Sequence, residues 1–475
     1  MKKLRGLLSS LDGDEALAAA ALALNEGGNP TVIAAAGVRA PLLAKAALQE
    51  GARPLVVVTA TGRDAEELAA HLRGYIDGVE VLPSWETLPH ERLSPQRDTM
   101  ARRVAVMRRL AHPEGEVGSR TGAIRVLLVP LRAFLQPVIS GLGDLEPVRL
   151  TVGETVDFES LATRLMNLGY ERTEVVQKRG EMAVRGGILD VFAPIDPYPT
   201  RIEMFGDEVD DVRYFSIADQ RAVGAAKEGL WAPAARELLL TDDVRERARE
   251  AVAKLPGAGQ MLELISEGIN VEGMESLSPI LVGGMETLLY LVGADSQVVI
   301  IEPQRVESRT EDLVATTQEF LEAAWTGAAA GGEIPLQAGN ASFKTLTQMR
   351  SIARKRGFGW AEISALAPME LADALTNAPS AHASIVVTPS LMQVGARDVK
   401  PYRGKIDQAI SDLGQLQKDN WKLVVTTDGP GPAKRITAVL NEAFVPAKIV
   451  EAVSEGLEPG VIEVLAAGSG PGFVA

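Results

Sequence analysis

The chain has 475 residues, 46% of them hydrophobic and only 4% aromatic, and a formal net charge of −15. That length predicts several domains, with aliphatic cores, and the acidic balance argues against nucleic acid as the main ligand. The absence of cysteine excludes disulfides, thiol catalysis and cysteine-ligated metal sites.

The first part reads as alternating helices and strands. Leu17 to Leu24 is an alanine-rich helix, Thr31 to Ala35 a short strand, and Pro41 to Gln49 a second helix. Pro54 to Ala60 is a continuous apolar run of the kind a buried parallel strand shows. A helix over Asp64 to Tyr75, a strand over Val79 to Leu82, a basic helix over Met100 to Leu110 and a strand over Ala123 to Val129 follow. This alternation predicts a parallel sheet.

After about Leu145 the texture changes to strands and turns, with a helix near Phe158 to Leu168 and a hairpin expected at Gly206-Asp207. Helices return after 230, one of them over 242–255 behind a Thr241 cap, with a strand at Gln297 to Ile301. Residues 326–341 have linker composition. Beyond them, strands at Ile385 to Thr388 and Trp421 to Thr427, and helices at Ile406 to Lys418 and Ala433 to Phe444, predict a smaller α/β unit. The strand-like tail is expected to stop where a longer protein would continue.

His71, His90, His112 and His382 are scattered, without metal-ligand spacing. The N-terminal apolar run is short and broken by Asp12, Asp14 and Glu15, and no run approaches membrane-spanning length. A cytoplasmic protein is expected.

One segment is placed as a phosphate-binding loop would be. Val32 to Ala47 reads strand, turn, helix, but only Gly37 remains of the glycines whose N–H groups would wrap phosphates. Arg39-Ala40-Pro41 stands where Gly-Lys-Thr is needed, and Lys45 lies a turn too far on. The strand ending at Glu302 looks like its acidic partner element, but Pro303 follows instead of a second acid. The expected fold class is therefore multidomain α/β: a degenerate RecA-like, P-loop-derived domain, an inserted α+β module, and a small third α/β domain. The boundaries are 1–145 for the first part of the RecA-like domain, 146–228 for the module, 229–340 for the return into the first domain, and 341–475 for the third. No cofactor or catalytic residue is expected.

Three segments carry a family resemblance. Residues 168–221 contain Gly169-Tyr170, Arg172, Arg179-Gly180, Arg185-Gly186 and Asp190-Val191-Phe192; they resemble the module shared by UvrB and the bacterial transcription-repair coupling factors, with which both bind UvrA. Residues 82–110 resemble the coupling factors' Trp-Glu-Thr-Leu-Pro stretch and basic helix, and residues 281–306 their return into the first domain. More weakly, residues 401–413 resemble the start of their next small domain. UvrB carries an aromatic hairpin that grips damaged DNA; here no Phe, Trp or Tyr lies between Trp85 and Ala101, which favours the coupling factors.

The resemblance implies a non-catalytic N-terminal part that recruits UvrA to stalled RNA polymerase by mimicking UvrB in nucleotide excision repair. RNA polymerase, double-stranded DNA, ATP and magnesium would belong to later domains of a longer parent. A C-terminal regulatory domain of that parent would cover the module at rest. The alternatives are a UvrB-like or helicase-type nucleotide-dependent repair protein and a purely structural spacer.

Arg172, Arg185 and Arg179 are the candidate UvrA contacts, expected on one exposed face, because arginine is enriched at interface hot spots. Gly180, Gly186 and Gly187 are read as backbone bends, Phe192 and Phe205 as core, and Trp85 as a packing anchor. Arg102, Arg103, Arg108 and Arg109 are read as a solvated helix face. Glu86 and Glu91 show no acid–base pairing. Only weak, salt-dependent duplex binding is expected.

Overall fold

Continuous apolar runs need cover on both faces, and an open sheet between two helical layers provides it. Leu55–Thr59, Val126–Pro130 and Gln297–Ile301 are buried at every position. The computed structural model describes residues 2–88, 91–117, 119–329, 343–366, 385–388, 391–400, 402, 404–468 and 470–475. Within it these strands belong to an eight-stranded sheet of order 385–388, 391–393, 31–33, 359–364, 297–301, 55–59, 126–130, 79–81. Every neighbouring pair is parallel except 385–388 with 391–393.

Alternate side chains of these strands feed two cores. Val57, Leu128 and Val299 pack with Leu17, Leu42, Leu43 and Leu72 from the helices Glu15–Asn25, Arg39–Ala47 and Gly62–Arg73. Val56, Val58, Leu127, Val129 and Ile300 pack with Val104 and Met107 of Arg97–Ala111 and with Met349 of Leu346–Lys355. The helix starts are fixed locally. Asp14 accepts the N–H groups of Ala16 and Leu17 at 3.1 and 3.0 Å, and Thr61 with Asp64 forms a reciprocal capping box.

Gly359–Ser364, which carries no clean strand signal in the sequence, slots between 31–33 and 297–301. Ile385–Thr388, read as a parallel strand of a separate third unit, instead lies antiparallel at the edge of this first sheet. An apolar run states that a strand forms, and the partner is chosen by distant segments. The stretch 326–341, read as a linker, begins inside the helix Pro303–Ala329, and the rest of it lies outside the described residues.

Two units are inserted between 130 and 297. One is the module described below. The other packs Asp242–Ala251, capped by Thr241, against Gly259–Ser266 around Val244, Ala248, Leu262 and Ile265. A last, three-stranded parallel sheet has Ile462–Ala466 between Val424–Thr427 and Ala447–Ile449. Val425, Ile462 and Val464 pack with Ala433, Ile436 and Leu440 of the helix Pro430–Glu442. Val424, Leu465 and Ala467 instead join the first core beside Leu4, Leu8 and Leu11. The molecule is thus a mixed α/β, multidomain structure built on a parallel sheet. Among the described residues no helix is long and apolar enough to cross a membrane.

Candidate partner-binding site

Period-two alternation and tight turns fold residues 171–225 into a sheet with one covered face. Its strands are ordered 222–225, 208–215, 200–205, 188–191, 181–185, 171–172, antiparallel except for the last pair. Met182, Leu189, Val191, Ile202, Val209 and Val212 share a core with Leu161 and Leu165 of the helix Phe158–Asn167. Gly186 and Gly206 turn the two hairpins at φ 59° and 62°, where a side chain is disfavoured. The Gly206-Asp207 hairpin falls where the sequence places it. Val148–Leu150 pairs antiparallel with Leu230–Ala232, bringing the ends of the insertion together.

Charges gather on the other face. Ala183, Asp190, Arg201, Arg213 and Ala225 stand in register across it. Asp190, 1% exposed, accepts Arg201 through Nε at 2.7 Å and Nη2 at 2.8 Å, and Arg185 through Nη2 at 2.8 Å. These bonds to Asp190 are the main reason the Arg201 guanidinium is held above its ordinary pKa. Arg213 pairs with Glu203 and Asp211. The Arg201 guanidinium lies 4.4 Å from the centroid of the Phe215 ring, and that of Arg179 lies 5.0 Å from Phe192. Val176, Ala183, Phe192 and Phe215 form a small apolar cluster.

The three candidate arginines do not share one face. Arg185 is half-exposed on the charged face. Arg179 donates to the Asp196 carbonyl at 3.2 Å. Arg172 is exposed at the sheet edge, and its register with Met182 sets it on the face opposite Arg185. Phe192 is core, as expected, but Phe205 is 82% exposed at the hairpin tip, beyond the cover of the helix below. Arg201 and Arg213 were missed. Counting back from the turn sets Arg201 opposite Val212; a bulge at Glu203/Met204 shifts the register and pairs it with Arg213.

The segments 82–88 and 91–97 strap this module to the first sheet. Trp85 Nε1 donates to Glu237 Oε1 at 2.7 Å, and Arg103 Nε donates to the same oxygen at 2.6 Å, with both ionic side chains fully buried. Next along the chain, Arg236 Nε meets Glu275 Oε1 at 2.9 Å, and Ser94 donates to Glu275 Oε2 at 2.6 Å. The expectation of a solvated arginine face fails for Arg103 and for Arg109, which is 7% exposed and bound to Glu80 and the Gly122 carbonyl. Spacing alone could not reveal the carboxylates waiting across the interface. Arg102 stays half-exposed, paired with Glu66, whereas Arg108, whose side chain is 11% exposed beside Glu114, also departs from the expected solvated face. Glu86 accepts the Gln96 N–H and the Thr99 hydroxyl, and Glu91 the Leu88 N–H.

The phosphate-like turn is filled by the chain itself. Arg39 reaches across to Glu302, and the Glu302 carboxylate also accepts the Ala365 N–H at 3.1 Å. Glu302 holds a left-handed φ of 54°. The Gly37 N–H, the group that would face a phosphate, donates to Asp398 Oδ1 at 2.9 Å. A Cβ on Gly37 would lie 2.7 Å from the carbonyl oxygens of Pro471 and Gly472. Ala40 and Pro41 are buried in the helix Arg39–Ala47. Further along the same sheet, a cavity of about 580 Å³ is lined by Glu66, Glu86, Glu91 and Asp312 against Arg132 and Arg309, an acidic balance that disfavours a triphosphate.

Residues 148–236 match the UvrB interaction domain family. Over 463 residues the chain is 39% identical to the transcription-repair-coupling factors of Mycobacterium bovis and Mycobacterium tuberculosis, an alignment covering 92% of this chain and 35% of theirs. It is 34% identical over 242 residues to that of Myxococcus xanthus, covering 47% of this chain and 19% of the relative. The chain therefore spans about a third of the length of the mycobacterial relatives, 35% of each.

Proposed function

Because this chain matches the N-terminal region of the transcription-repair-coupling factors and carries a UvrB interaction domain, we propose that it recruits UvrA to stalled RNA polymerase, using the sheet of residues 171–225 as its contact surface. The match of residues 148–236 to that domain carries the reading. The charged face supports it: guanidiniums held by carboxylates and backed by Phe192 and Phe215 are pre-organised to exchange or extend ion pairs with a partner. The first sheet is read as a RecA-like domain that has given up nucleotide. Its Arg39–Glu302 pair and its Gly37–Asp398 contact favour this over a nucleotide-dependent helicase or a true UvrB. RNA polymerase, duplex DNA, ATP and magnesium are assigned to later domains of a longer protein, in the cytoplasm.

The test is Arg172→Ala with Arg185→Ala, titrated with purified UvrA by calorimetry. Asp190 keeps its bidentate Arg201, so the fold should hold and Tm should stay within about 2 °C, as for surface substitutions. Loss of a hot spot costs about 2 kcal/mol, roughly thirtyfold in affinity. An unchanged dissociation constant would remove these arginines from the interface. Absence of binding by the unaltered chain would favour the spacer reading.

A further inference from the structure

Asp190 is a carboxylate in an otherwise apolar strand. Ile188–Val191 is buried from Leu189 on, and Asp190 itself is 1% exposed. Burying a carboxylate is unfavourable unless its lone pairs are taken. Oδ1 accepts Arg201 Nε at 2.7 Å, and Oδ2 accepts Nη2 of Arg201 and Nη2 of Arg185, each at 2.8 Å. One buried acid therefore holds two guanidiniums. Its cross-strand neighbours on this face are Arg201 on one side and the small Ala183 on the other. Arg185, two positions along the strand from Ala183, reaches Asp190 diagonally.

The two arginines are not equivalent. The Arg201 side chain is 15% exposed, and all three of its nitrogens are engaged. Besides the bonds to Asp190, Nη2 donates to Gln220 Oε1 at 3.1 Å and Nη1 to the Gln220 carbonyl at 3.5 Å. Gln220 is itself fixed at a left-handed φ of 60°, with its N–H on the Ser216 carbonyl at 2.8 Å and its Nε2 on the Ile217 carbonyl at 3.2 Å. The Arg185 side chain is 48% exposed and is held through Nη2 alone. Among the described residues its Nε and Nη1 have no partner. Arg213 draws on other carboxylates, Glu203 and Asp211.

We propose that Asp190 is a positioning residue for UvrA binding: it aims Arg185 at the partner, while Arg201 neutralises and orients Asp190 and touches no partner itself. This rests on the UvrA reading above. An unheld arginine loses rotamer freedom when it binds, and one already held by a fixed carboxylate loses less. The Asp190–Arg201 pair is complete without Arg185. An ion pair to a half-exposed arginine adds little to stability, so the third bond is better explained by aim than by cohesion.

The test is a double-mutant cycle, read by calorimetric titration of the whole chain with purified UvrA. Asp190→Asn keeps the size of the side chain and one acceptor oxygen for the Arg201 fork, and turns amide N–H groups towards Arg185. Asp190→Asn and Arg185→Ala should each weaken binding by about tenfold or more. Together they should bind as weakly as Arg185→Ala alone, because Asp190 acts only through Arg185. A second set removes the buried charges altogether. Asp190→Leu with Arg201→Met should keep or raise Tm, lose the same affinity, and again add nothing to Arg185→Ala. Losses that add would put Asp190 or Arg201 in direct contact with UvrA and overturn the inference. So would unchanged affinity in Asp190→Asn, or unfolding of the charge-free swap, which would make Asp190 a support of the fold. Absence of binding by the unaltered chain would overturn the UvrA reading and this inference with it.

Discussion

Truncating Glu237 to alanine would strand a charge in the middle of the molecule. Glu237 and Arg103 both have 0% side-chain exposure, and one carboxylate oxygen serves both Arg103 Nε and Trp85 Nε1. Breaking a buried pair costs about 3–5 kcal/mol, because the remaining charge is neither solvated nor paired. The orphaned indole N–H adds about 1–3 kcal/mol. Arg103 Nη1 keeps the Pro83 carbonyl at 2.9 Å, which places the sum near the low end. A loss of about 4 kcal/mol corresponds to a Tm drop of roughly 10 °C for a domain of this size. Differential scanning calorimetry of the whole chain reads the shift, and limited proteolysis reports whether the straps at 82–88 and 91–97 have come loose. The companion variant Arg103→Met with Glu237→Leu removes both charges and the cost of burying them. Arg103 Nη2 and Glu237 Oε2 have no protein partner, so the native pair is not fully satisfied. The double variant should therefore regain most of the lost stability. A single variant within about 0.5 kcal/mol of the parent, the ordinary surface value, or a double variant as unstable as the single, would refute the reasoning.

Asp196 is buried, and desolvation raises its carboxyl pKa despite Arg120 beside it. Its folded form binds a proton more readily than the unfolded chain does, so its contribution is greatest below the ordinary aspartate range and is lost as pH rises through the raised value. Asp196→Asn should flatten that slope in a Tm series from acid to neutral pH, and an unaltered slope would contradict it. Gly37→Ala sets a Cβ against the Pro471 and Gly472 carbonyls, so the tail should loosen, read as faster hydrogen exchange at 470–474; unchanged protection would show that the contact is dispensable. ATP turnover should stay at background with or without DNA, and turnover that disappears in Glu302→Ala would reverse the reading of the turn.

Much of the scaffold is legible locally. The runs at 55–59, 126–130 and 297–301 declare buried strands because they are apolar but for Thr59 and Gln297, and Thr241 declares a helix start because its side chain meets the free Val244 N–H. The hairpin at Gly206-Asp207 follows from turn chemistry. The Gly-Tyr and Arg-Gly landmarks of residues 169–186 mark the module, and residues 148–236 match its family. These features depend on a few neighbouring residues, and composition alone set the aliphatic character of the cores.

Other features depend on residues far apart in sequence. Gly359–Ser364 becomes a central strand only because two strands leave a gap for it, and Ile385–Thr388 joins the first sheet by pairing with its neighbour at the edge. Arg103 and Arg109 look like surface charges on a basic helix until Glu237 and Glu80 approach. A bulge beyond the reach of pattern counting aligns Arg201 with Arg213, and Arg172 parts from Arg185 because its short strand pairs in the opposite phase. The sequence alone determined the buried strands at 55–59, 126–130 and 297–301, the Thr241 cap, the Gly206-Asp207 turn and that the phosphate motif is missing. Tertiary structure alone decided which charges are buried, which arginines share a face, and that Asp398 and Glu302 meet Gly37 and Arg39 at the turn, because burial and pairing are set by groups that meet only when the chain is folded.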